Sequence, residues 1–392
     1  MRSTFPRPPA FPINSRPEDR AGAVLTIDLA AVVENWRILK KRARHGCDVG
    51  AVVKADAYGL GLEQVAHALK LAGCATFYVA HLDGAIALRQ IVGPGPRIAN
   101  LNGPNRGTER DHAAHRIMPV LSTPEHIKVW QTYAMKEEVL LESIVQVDTG
   151  MNRLGLSQTE FNALNADADG FLGLHPQMLM SHLACADEPG HAMNMAQLER
   201  YRTMLGAFRV RFPDAKASLA NSSGVFLGQD WHFDYARPGA ALYGVNPVPG
   251  QPNPMLPVVN LKARIIQVRR VDTPGHVGYG AAAQVREGAK LATVSMGYAD
   301  GYLRSLGASG VAVLDGLKVP VMGRVSMDLI TFDVTNVPDS ATQPGNFIDI
   351  ISHVVTVDDV ARAAGTIGYE ILTALGHRFH RRYLPAPAAP RA

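Results

Sequence analysis

Short apolar runs alternate with helical segments along the first two thirds of the chain. Continuous apolar runs without polar alternation are typical of strands buried on both faces, and their alternation with helices predicts parallel pairing. Eight such runs are present, at 49–53, 76–80, 97–101, 117–121, 143–147, 178–182, 217–220 and 240–245. Because eight βα units close into a ring, the pattern predicts a TIM-type (β/α)8 barrel.

Helical periodicity is found between these runs and again near the end of the chain. The predicted helices are 29–44, 62–71, 84–91, 124–135, 192–212 and 357–375. The pattern changes at 246–254 (NPVPGQPNP), where four prolines and a glycine cannot continue a helix or a central strand. This segment is therefore predicted to link two domains.

The chain after this linker has the alternation of β-strands. Strands are predicted at 261–268 and 291–295, and Asp315-Gly316 predicts a tight hairpin turn. The expected fold class is therefore α/β plus β, an N-terminal (β/α)8 barrel followed by a C-terminal mainly β domain. The predicted boundaries are a disordered extension at 1–21, the barrel at 22–250, the β domain at 251–385 and a tail at 386–392.

Composition excludes several classes of protein. With 47% hydrophobic and 19% charged residues, the chain has the composition of a soluble globular protein. A net charge of +4 is too small to favour a nucleic-acid partner, and the basic cluster of Arg378, Arg381 and Arg382 is interpreted as the solvated end of the last helix. No apolar stretch approaches the ~20 residues of a membrane helix.

Signals for export and for disulfide formation are also absent from the sequence. The N-terminal segment has no apolar core of a secretory signal, so a cytoplasmic protein is expected. Cys47, Cys74 and Cys185 are far apart and odd in number, as expected of reduced thiols. No metal site is predicted.

Lys54 is the strongest candidate for chemistry, in the segment AVVKADAYGLG at 51–61. It ends the first apolar run, at the strand end where barrel enzymes gather their active-site residues. Desolvation there would lower the lysine pKa toward the range in which a neutral amine attacks carbonyl groups. A lysine that extends its ammonium from the strand end into water remains the alternative on these facts alone.

Eight further segments carry candidate residues in order along the chain. They are VDTGMNRLG (147–155), MSHLACAD (180–187), LANSSGV (219–225), RPGAALYG (237–244), VGYGA (277–281), SMGYADGYLR (295–304), GRVSMD (323–328) and TIGYE (366–370). Small residues before a helix suit an anion, and an arginine fork suits a planar carboxylate. Taken singly, each has an ordinary alternative, such as a βα loop, a surface ion pair, a core histidine or a packed aromatic. Cys185 beside His182 suggests a nucleophile, but nothing supplies an orienting third group.

Taken together, these segments from about residue 22 to 384 resemble the alanine racemase family, whose cofactor is pyridoxal 5′-phosphate (PLP). The resemblance departs at Asp56, usually Asn in the family, and at Leu60, often His. It implies an isomerase that interconverts L-alanine and D-alanine with PLP held as an imine on Lys54. Such an enzyme would supply D-alanine for peptidoglycan or L-alanine for catabolism.

The resemblance also implies which residues hold the cofactor. In addition to Lys54 they are Tyr58, Arg153, His182, Ser222, Arg237, Gly239, Ala240 and Tyr369. Arg237 would donate to the pyridine nitrogen with His182 orienting it, and the unprotonated ring would be a weaker electron sink. Gln146 stands where many relatives carry a carbamylated lysine that supports Arg153, so a neutral amide would orient that arginine.

Racemisation needs one base on each face of a planar intermediate, and the resemblance implies Lys54 and Tyr279. In the family this tyrosine comes from the partner subunit, which implies a head-to-tail homodimer with composite sites and a small amino acid as substrate. The other implied residues are Arg153, Met327 and Asp328 for the substrate, Tyr369 for the narrowed entrance, and Tyr298, Arg304, Arg324 and Asp187 for the access corridor. Ser326 replaces a cysteine found in some relatives.

Other activities of the same architecture compete with this interpretation. A PLP decarboxylase would place an acidic group against the pyridine nitrogen, and Arg237 argues against that. A broad-specificity racemase would typically be secreted and lack a bulky aromatic such as Tyr369. A noncatalytic PLP carrier would resemble the barrel alone, and a purely structural barrel would be colourless.

Overall fold

The computed structural model describes residues 15–386, which form two compact units. The barrel unit contains Thr26–Asn260, Ile351–Leu375 and residues 383–386. The sheet unit contains residues 15–25, Leu261–Ile350 and Gly376–Arg382. Because the last segment of the chain contributes to both units, the division is not one cut at the proline-rich linker.

The strands and helices of the described residues follow the predicted alternation in the first unit. The strands are β1 (Ala23–Asp28), β2 (Asp48–Val49), β3 (Ala51–Val52), β4 (Thr76–Val79), β5 (Arg97–Asn100), β6 (Ile117–Leu121), β7 (Leu141–Gln146), β8 (Leu174–Met180), β9 (Lys216–Ser218), β10 (Tyr235–Ala236), β11 (Val259–Arg270), β12 (Gly275–Val277), β13 (Ala283–Val285), β14 (Lys290–Val294), β15 (Val311–Leu314), β16 (Leu317–Pro320), β17 (Ile330–Asp333), β18 (Phe347–Ile351) and β19 (His380–Leu384). The helices are α1 (Pro17–Arg20), α2 (Leu29–Arg42), α3 (Lys54–Gly59), α4 (Leu62–Leu71), α5 (Leu82–Val92), α6 (Glu109–Ala114), α7 (Pro124–Glu137), α8 (Gln158–Ala166), α9 (Ala192–Arg211), α10 (Val357–Ala364) and α11 (Gly368–Ala374).

Strands β3 to β9 form a parallel sheet in which each strand pairs with the next along the chain. Strand β10 pairs in parallel with β2, with Tyr235 opposite Asp48. On its other side the N–H of Asp234 donates to the carbonyl of Ala217 at 3.0 Å. Strand β10 therefore lies between β9 and β2, and β2 is followed directly by β3. The ring is closed in this way, and the predicted (β/α)8 barrel is confirmed.

The strand predicted at 240–245 is wrong. The eighth barrel strand is Tyr235–Ala236, and Ala240–Tyr243 form a 3₁₀ turn that ends at Gly244 with a φ of 83°. All four side chains of this turn are buried. A short apolar run reports burial, and burial alone does not distinguish a strand from a buried turn.

Side-chain caps set the starts of several helices. Thr123 accepts the N–H of His126 before α7, and Ser157 and Glu160 form a reciprocal capping box at the start of α8. The apolar faces of α7, α8 and α9 then pack into one core with β7 to β9, which includes Trp130, Phe161 and Phe208. This core supports the barrel strands that carry polar residues at their ends.

The sheet unit contains an eight-stranded sheet with the order β16-β15-β18-β11-β1-β19, extended by β14 on β11 and β17 on β14. Strands β12 and β13 form a separate antiparallel pair. The hairpin predicted at Asp315-Gly316 is confirmed, and its φ values of 53° and 76° suit a two-residue turn with left-handed residues. Sequence reasoning missed β1, which joins this sheet from the N-terminal segment.

The end of the chain differs from the prediction in two ways. The single helix predicted at 357–375 is two helices, α10 and α11, because Gly365 ends α10 with a φ of 75°. The basic cluster does not lie on a helix, since Arg381 and Arg382 are in β19 and Arg378 precedes it.

The termini overlap only in part with the described residues. The predicted extension at 1–21 lies outside them up to residue 14, while Pro17–Arg20 form the short helix α1. The predicted tail lies outside them from residue 387. Between residues 15 and 386, no helix combines the length and apolar character needed to cross a membrane.

Candidate active site

A cavity of about 470 Å³ opens at the carboxyl ends of the barrel strands. Its lining comes from the residues at or just after the strand ends, and from the start of α11. These residues are Val52, Lys54, Tyr58, Ala80, Leu101, Asn102, Gln146, Arg153, Leu154, Met180, His182, Asn221, Ser222, Arg237, Gly239, Ala240 and Tyr369, all of the barrel unit. Barrel enzymes place their active sites at this end of the strands.

Lys54 follows β3 and begins a left-handed helical turn. Residues 55–58 have φ values between 53° and 57°, and each non-glycine residue in this region costs roughly 1–2 kcal/mol. Backbone strain of this kind is concentrated at functional sites. Although Lys54 keeps access to solvent, burial by the cavity walls and then the charge of Arg153 lower the pKa of its ammonium. Both effects shift the equilibrium of Lys54 towards its neutral, nucleophilic form.

Arg237 is buried beneath the cavity and held by two serine residues. Its Nη1 donates to the hydroxyl of Ser218, and its Nη2 donates to the carbonyl of Ser181 at 2.6 Å. The Ser218 hydroxyl in turn donates to the carbonyl of Tyr235 at 2.6 Å. The backbone N–H of Ser218 donates to the hydroxyl of Tyr201 at 2.8 Å. The guanidinium plane is thus fixed by Ser218 at the end of β9 and by Ser181 directly after β8. Burial lowers the pKa of Arg237, but a guanidinium still remains a donor.

His182 lines the same cavity as a neutral imidazole. Burial, followed by the charges of Arg237, Arg153 and Lys54, lowers the pKa of His182 to about 3. Its backbone carbonyl accepts from Nε2 of Gln197 at 2.9 Å, which ties the loop after β8 to α9. In the described part of the chain, the hydrogen bonds of the Arg237 side chain go to Ser218 and Ser181.

Arg153 lies on a loop whose backbone is closed by side chains. The carboxylate of Asp148 accepts the N–H groups of residues 150–152 at 2.8–2.9 Å. The amide of Gln146 donates to the carbonyl of Leu154 at 3.1 Å, directly beside Arg153. Gln146, the neutral amide expected to orient Arg153, therefore binds the backbone of the residue next to that arginine.

A cluster of hydroxyl and N–H groups forms the far wall of the cavity. The hydroxyl of Ser222 accepts the N–H groups of Gly239 and Ala241 at 2.9 and 3.2 Å. The Tyr58 hydroxyl lies so close to Gly239 that a Cβ there would collide with it. The ring of Tyr369 lies 6.0 Å from that of Tyr58, and burial raises the pKa of both phenols, so both remain protonated donors. The hydroxyl groups of Ser222, Tyr58 and Tyr369 can donate to an anion at this wall.

The remaining predicted residues lie mainly in three adjoining loops of the sheet unit. Tyr279, on the loop after β12, is 72% exposed, and Met327 is 54% exposed. The N–H groups of Tyr298 and Ala299 donate to the carbonyls of Ser326 and Met327, each at 3.0 Å.

Arg324 connects the loop of Tyr279 to the loop of Met327. A Cβ on Gly280 would lie 3.0 Å from the guanidinium of Arg324, so that side chain covers the turn beside Tyr279. Arg304 begins a separate 3₁₀ turn of the sheet unit. Asp187 belongs to the barrel unit, where its charge contributes to the raised pKa of Tyr369.

Comparison with known proteins covers nearly the whole described chain. Residues 27–247 match the family model of the alanine racemase N-terminal domain, and residues 258–383 match that of the alanine racemase C-terminal domain. The alanine racemase of Rhodospirillum rubrum is 47% identical over 366 residues, which cover 93% of this chain and 97% of that protein. The chain belongs to the alanine racemase family.

Solved structures of the alanine racemase family have the same fold. The alanine racemase of Bartonella henselae, with covalently bound pyridoxal phosphate, matches with a TM-score of 0.88 at 39% identity. The match covers 93% of this chain and 100% of that chain. The biosynthetic alanine racemase of Pseudomonas aeruginosa matches with a TM-score of 0.85 at 33% identity, covering 93% and 99%. The family resemblance found in the sequence motifs is therefore confirmed.

All nine residues that the alanine racemase resemblance assigned to the cofactor line this one cavity. Sequence reasoning missed the groups that hold them, above all Ser181 and Ser218, and it missed Asn102 and Asn221 in the lining. Ser218 stands inside a predicted apolar strand, and a polar residue buried there indicates a hydrogen-bond partner. That signal was present in the sequence, but the identity of the partner was not.

Proposed function

We propose that this protein is a PLP-dependent alanine racemase. The observation that carries the proposal is the cavity itself. Its lining combines a lysine with a lowered pKa, a buried arginine and the hydroxyl groups of Tyr58, Ser222 and Tyr369, which form a cradle for an anion. Family membership supports it, because the relatives at 42–47% identity span most of this chain and are named alanine racemases. A relative named as a catabolic alanine racemase is 46% identical to this chain, and one named as biosynthetic is 43% identical. Because these identities are close, we propose only the reaction that both relatives' names share.

The groups lining the cavity fit PLP. This cofactor has an aldehyde, a doubly anionic phosphate and a ring nitrogen, and the cavity offers an amine, a cradle of donors and a guanidinium. A cavity of about 470 Å³ also falls within the range of small-molecule sites. Because a Cβ at position 239 would collide with the Tyr58 hydroxyl, glycine keeps the cradle open. When bound, PLP supplies the electron sink that stabilises the charge left after the α-proton departs.

Each part of the cavity then has one task. Lys54 would bind the aldehyde, and Tyr58, Ser222, Gly239, Ala240 and Tyr369 would hold the phosphate. Arg237 would donate to the ring nitrogen, and Ser218 and Ser181 keep its guanidinium in place. Arg153 binds the substrate carboxylate from a loop that Asp148 and Gln146 hold closed.

Two bases on opposite faces exchange the α-proton. With the substrate's amino group in its place on the cofactor, the free Lys54 amine would take or return the proton on one face, and the Tyr279 side chain would do so on the other. We infer a homodimer in which Tyr279, Met327 and Asp328 of one chain complete the cavity of the other. The exposure of Tyr279 and Met327 in the single chain, 72% and 54%, supports this inference, because apolar surface of this kind at a functional loop marks an interaction site.

The arrangement distinguishes this activity from its alternatives. Arg237 presents a permanent positive charge, whereas a decarboxylase of this architecture would need an acid to strengthen the electron sink. Tyr369 lines the cavity with a bulky ring, which disfavours large substrates. We therefore propose alanine as the principal substrate.

Borohydride reduction tests the proposal directly. The purified protein should be yellow, racemise L-alanine by chiral chromatography, and carry a reduced pyridoxyl group on Lys54 in its peptide map. Lys54→Ala should lose both the adduct and the activity, and the exposed Lys70→Ala should keep both. A colourless, inactive protein, or an adduct on another residue, would contradict the proposal.

A further inference from the structure

We propose that Arg378 is a positioning residue that locks the loop of Asp328 onto the loop of Tyr298. Its Nε and Nη2 donate to the two carboxylate oxygens of Asp300 at 2.7 and 2.9 Å. Its third donor, Nη1, reaches Oδ1 of Asp328 at 2.8 Å. One guanidinium thus connects a carboxylate in each loop, which a single ammonium cannot do with the same geometry.

Asp300 is the anchored end of this bridge. Its side chain is only 8% exposed, and its Oδ2 also accepts the N–H of Gly297 at 2.9 Å. The segment that carries Arg378 is attached to the same loop, because the N–H of Gly376 donates to the Asp300 carbonyl at 3.1 Å. Arg378 therefore projects from a fixed base towards the more exposed Asp328.

The two loops also meet backbone to backbone. A Cβ on Gly297 would collide with the carbonyls of Ser326 and Met327, so only glycine permits this approach. The N–H groups of Tyr298 and Ala299 donate to those same two carbonyls, each at 3.0 Å. The two loops are therefore joined by two backbone hydrogen bonds and, through their side chains, by Arg378.

The exposure of Arg378 and Asp328 indicates that their ion pair matters more for the position of the Asp328 loop than for the stability of the fold. The side chains of Arg378 and Asp328 are 53% and 56% exposed, and ion pairs of such exposure contribute little to folding. Misplacing a substrate-site group by about 1 Å can by contrast lower a rate by roughly a hundredfold. This inference rests on the proposed function, in which Met327 and Asp328 contact the substrate.

Arg378→Lys tests the bridge, because it keeps the charge and removes the fork. The control is Arg382→Lys, since Arg382 makes a half-exposed ion pair with Glu18 at 2.8 Å, away from both loops. In hydrogen exchange of the holoenzyme, the amides of Tyr298 and Ala299 should exchange faster in Arg378→Lys and at the wild-type rate in Arg382→Lys. The kcat/KM for L-alanine should fall by roughly tenfold or more in Arg378→Lys alone, with a melting temperature near that of the wild type.

A second variant keeps the test decisive if Arg378→Lys does not fold. Asp328→Asn leaves the Arg378–Asp300 pair intact and weakens the link to the other loop, so it should also speed exchange at Tyr298 and Ala299. In the double variant the two losses in kcat/KM should not multiply, because both break the same link. Unchanged exchange at these amides, or losses that multiply, would overturn the role of Arg378. If the wild type does not racemise alanine, that result would instead contradict the proposed function, whatever the exchange rates.

Discussion

Lys54, His182 and Tyr58 share one cavity, and burial is the first cause of the pKa shift of each. Desolvation disfavours the charged form of any group, so it lowers the pKa of the amine and of the imidazole and raises the pKa of the phenol. The charges of Arg153 and Arg237 act in the same direction on His182. Burial thus shifts three residue types with different ordinary pKa values towards their uncharged forms in the same site.

His182 should make the protein sensitive to acid. Its folded pKa of about 3 lies below the ordinary value of 6.5, so below pH 6.5 the unfolded chain binds a proton that the folded chain refuses. The stability cost is absent above pH 6.5 and grows as the pH falls towards 3. His182→Gln should therefore be more stable than the wild type in acid, relative to pH 7.5, by on the order of 2 kcal/mol at pH 4.5. Urea unfolding at several pH values measures this difference, and the exposed His45→Gln should follow the wild-type curve.

At the scale of elements, the left-handed turn at 55–58 connects strand β3 to the cavity. It carries the chain from Lys54 to the buried Tyr58, so that both residues line the same space. No residue of 55–58 is glycine, although glycine adopts this conformation without a steric penalty. The strain is therefore kept by the surrounding structure and not by the local sequence.

Ala55→Gly tests this strain. Ala55 is exposed and has a φ of 53°, so glycine should relieve the clash and stabilise the protein by about 1 kcal/mol. The matched control is Ala207→Gly at an exposed position inside α9, which should destabilise by about 1 kcal/mol. Opposite signs in thermal unfolding are expected, and destabilisation by both variants would show that the turn is not strained.

At the scale of the whole molecule, the candidate bases lie in different units of the chain. Lys54 belongs to the barrel unit and Tyr279 to the sheet unit. In the homodimer that we propose, each active site combines the barrel unit of one chain with the sheet unit of the other. A two-fold assembly of this kind contains two identical composite sites.

Mixing two inactive variants tests the composite site. Lys54→Ala and Tyr279→Phe should each be severely impaired as homodimers. After joint dissociation and reassociation about half the dimers are mixed, and one site of each mixed dimer combines an intact Lys54 with an intact Tyr279. Roughly a quarter of all sites should then be wild-type in composition, so racemisation should rise above that of either variant treated alone. No rise, with mixed dimers confirmed by differential tags, would mean that both bases come from one chain or that Tyr279 is not the second base.

The sequence by itself determined the features that depend on neighbours along the chain. The apolar runs predicted seven of the eight barrel strands, and Asp315-Gly316 predicted its hairpin, because strand periodicity and turn chemistry are local. The position of Lys54 at the end of the first run predicted an active-site lysine for the same reason. The motifs around it identified the family, since their order and spacing are properties of the sequence.

Only the tertiary structure decided which distant groups hold these residues. Arg237 is bound by Ser181, 56 positions away, and Arg378 binds Asp300, 78 positions away, although the sequence suggested a solvated tail. The barrel closes through Tyr235–Ala236, which has only two residues and is too short to form an apolar run of its own. These contacts depend on the path of the whole chain, and a buried polar group indicates that it has a partner without indicating which partner it is.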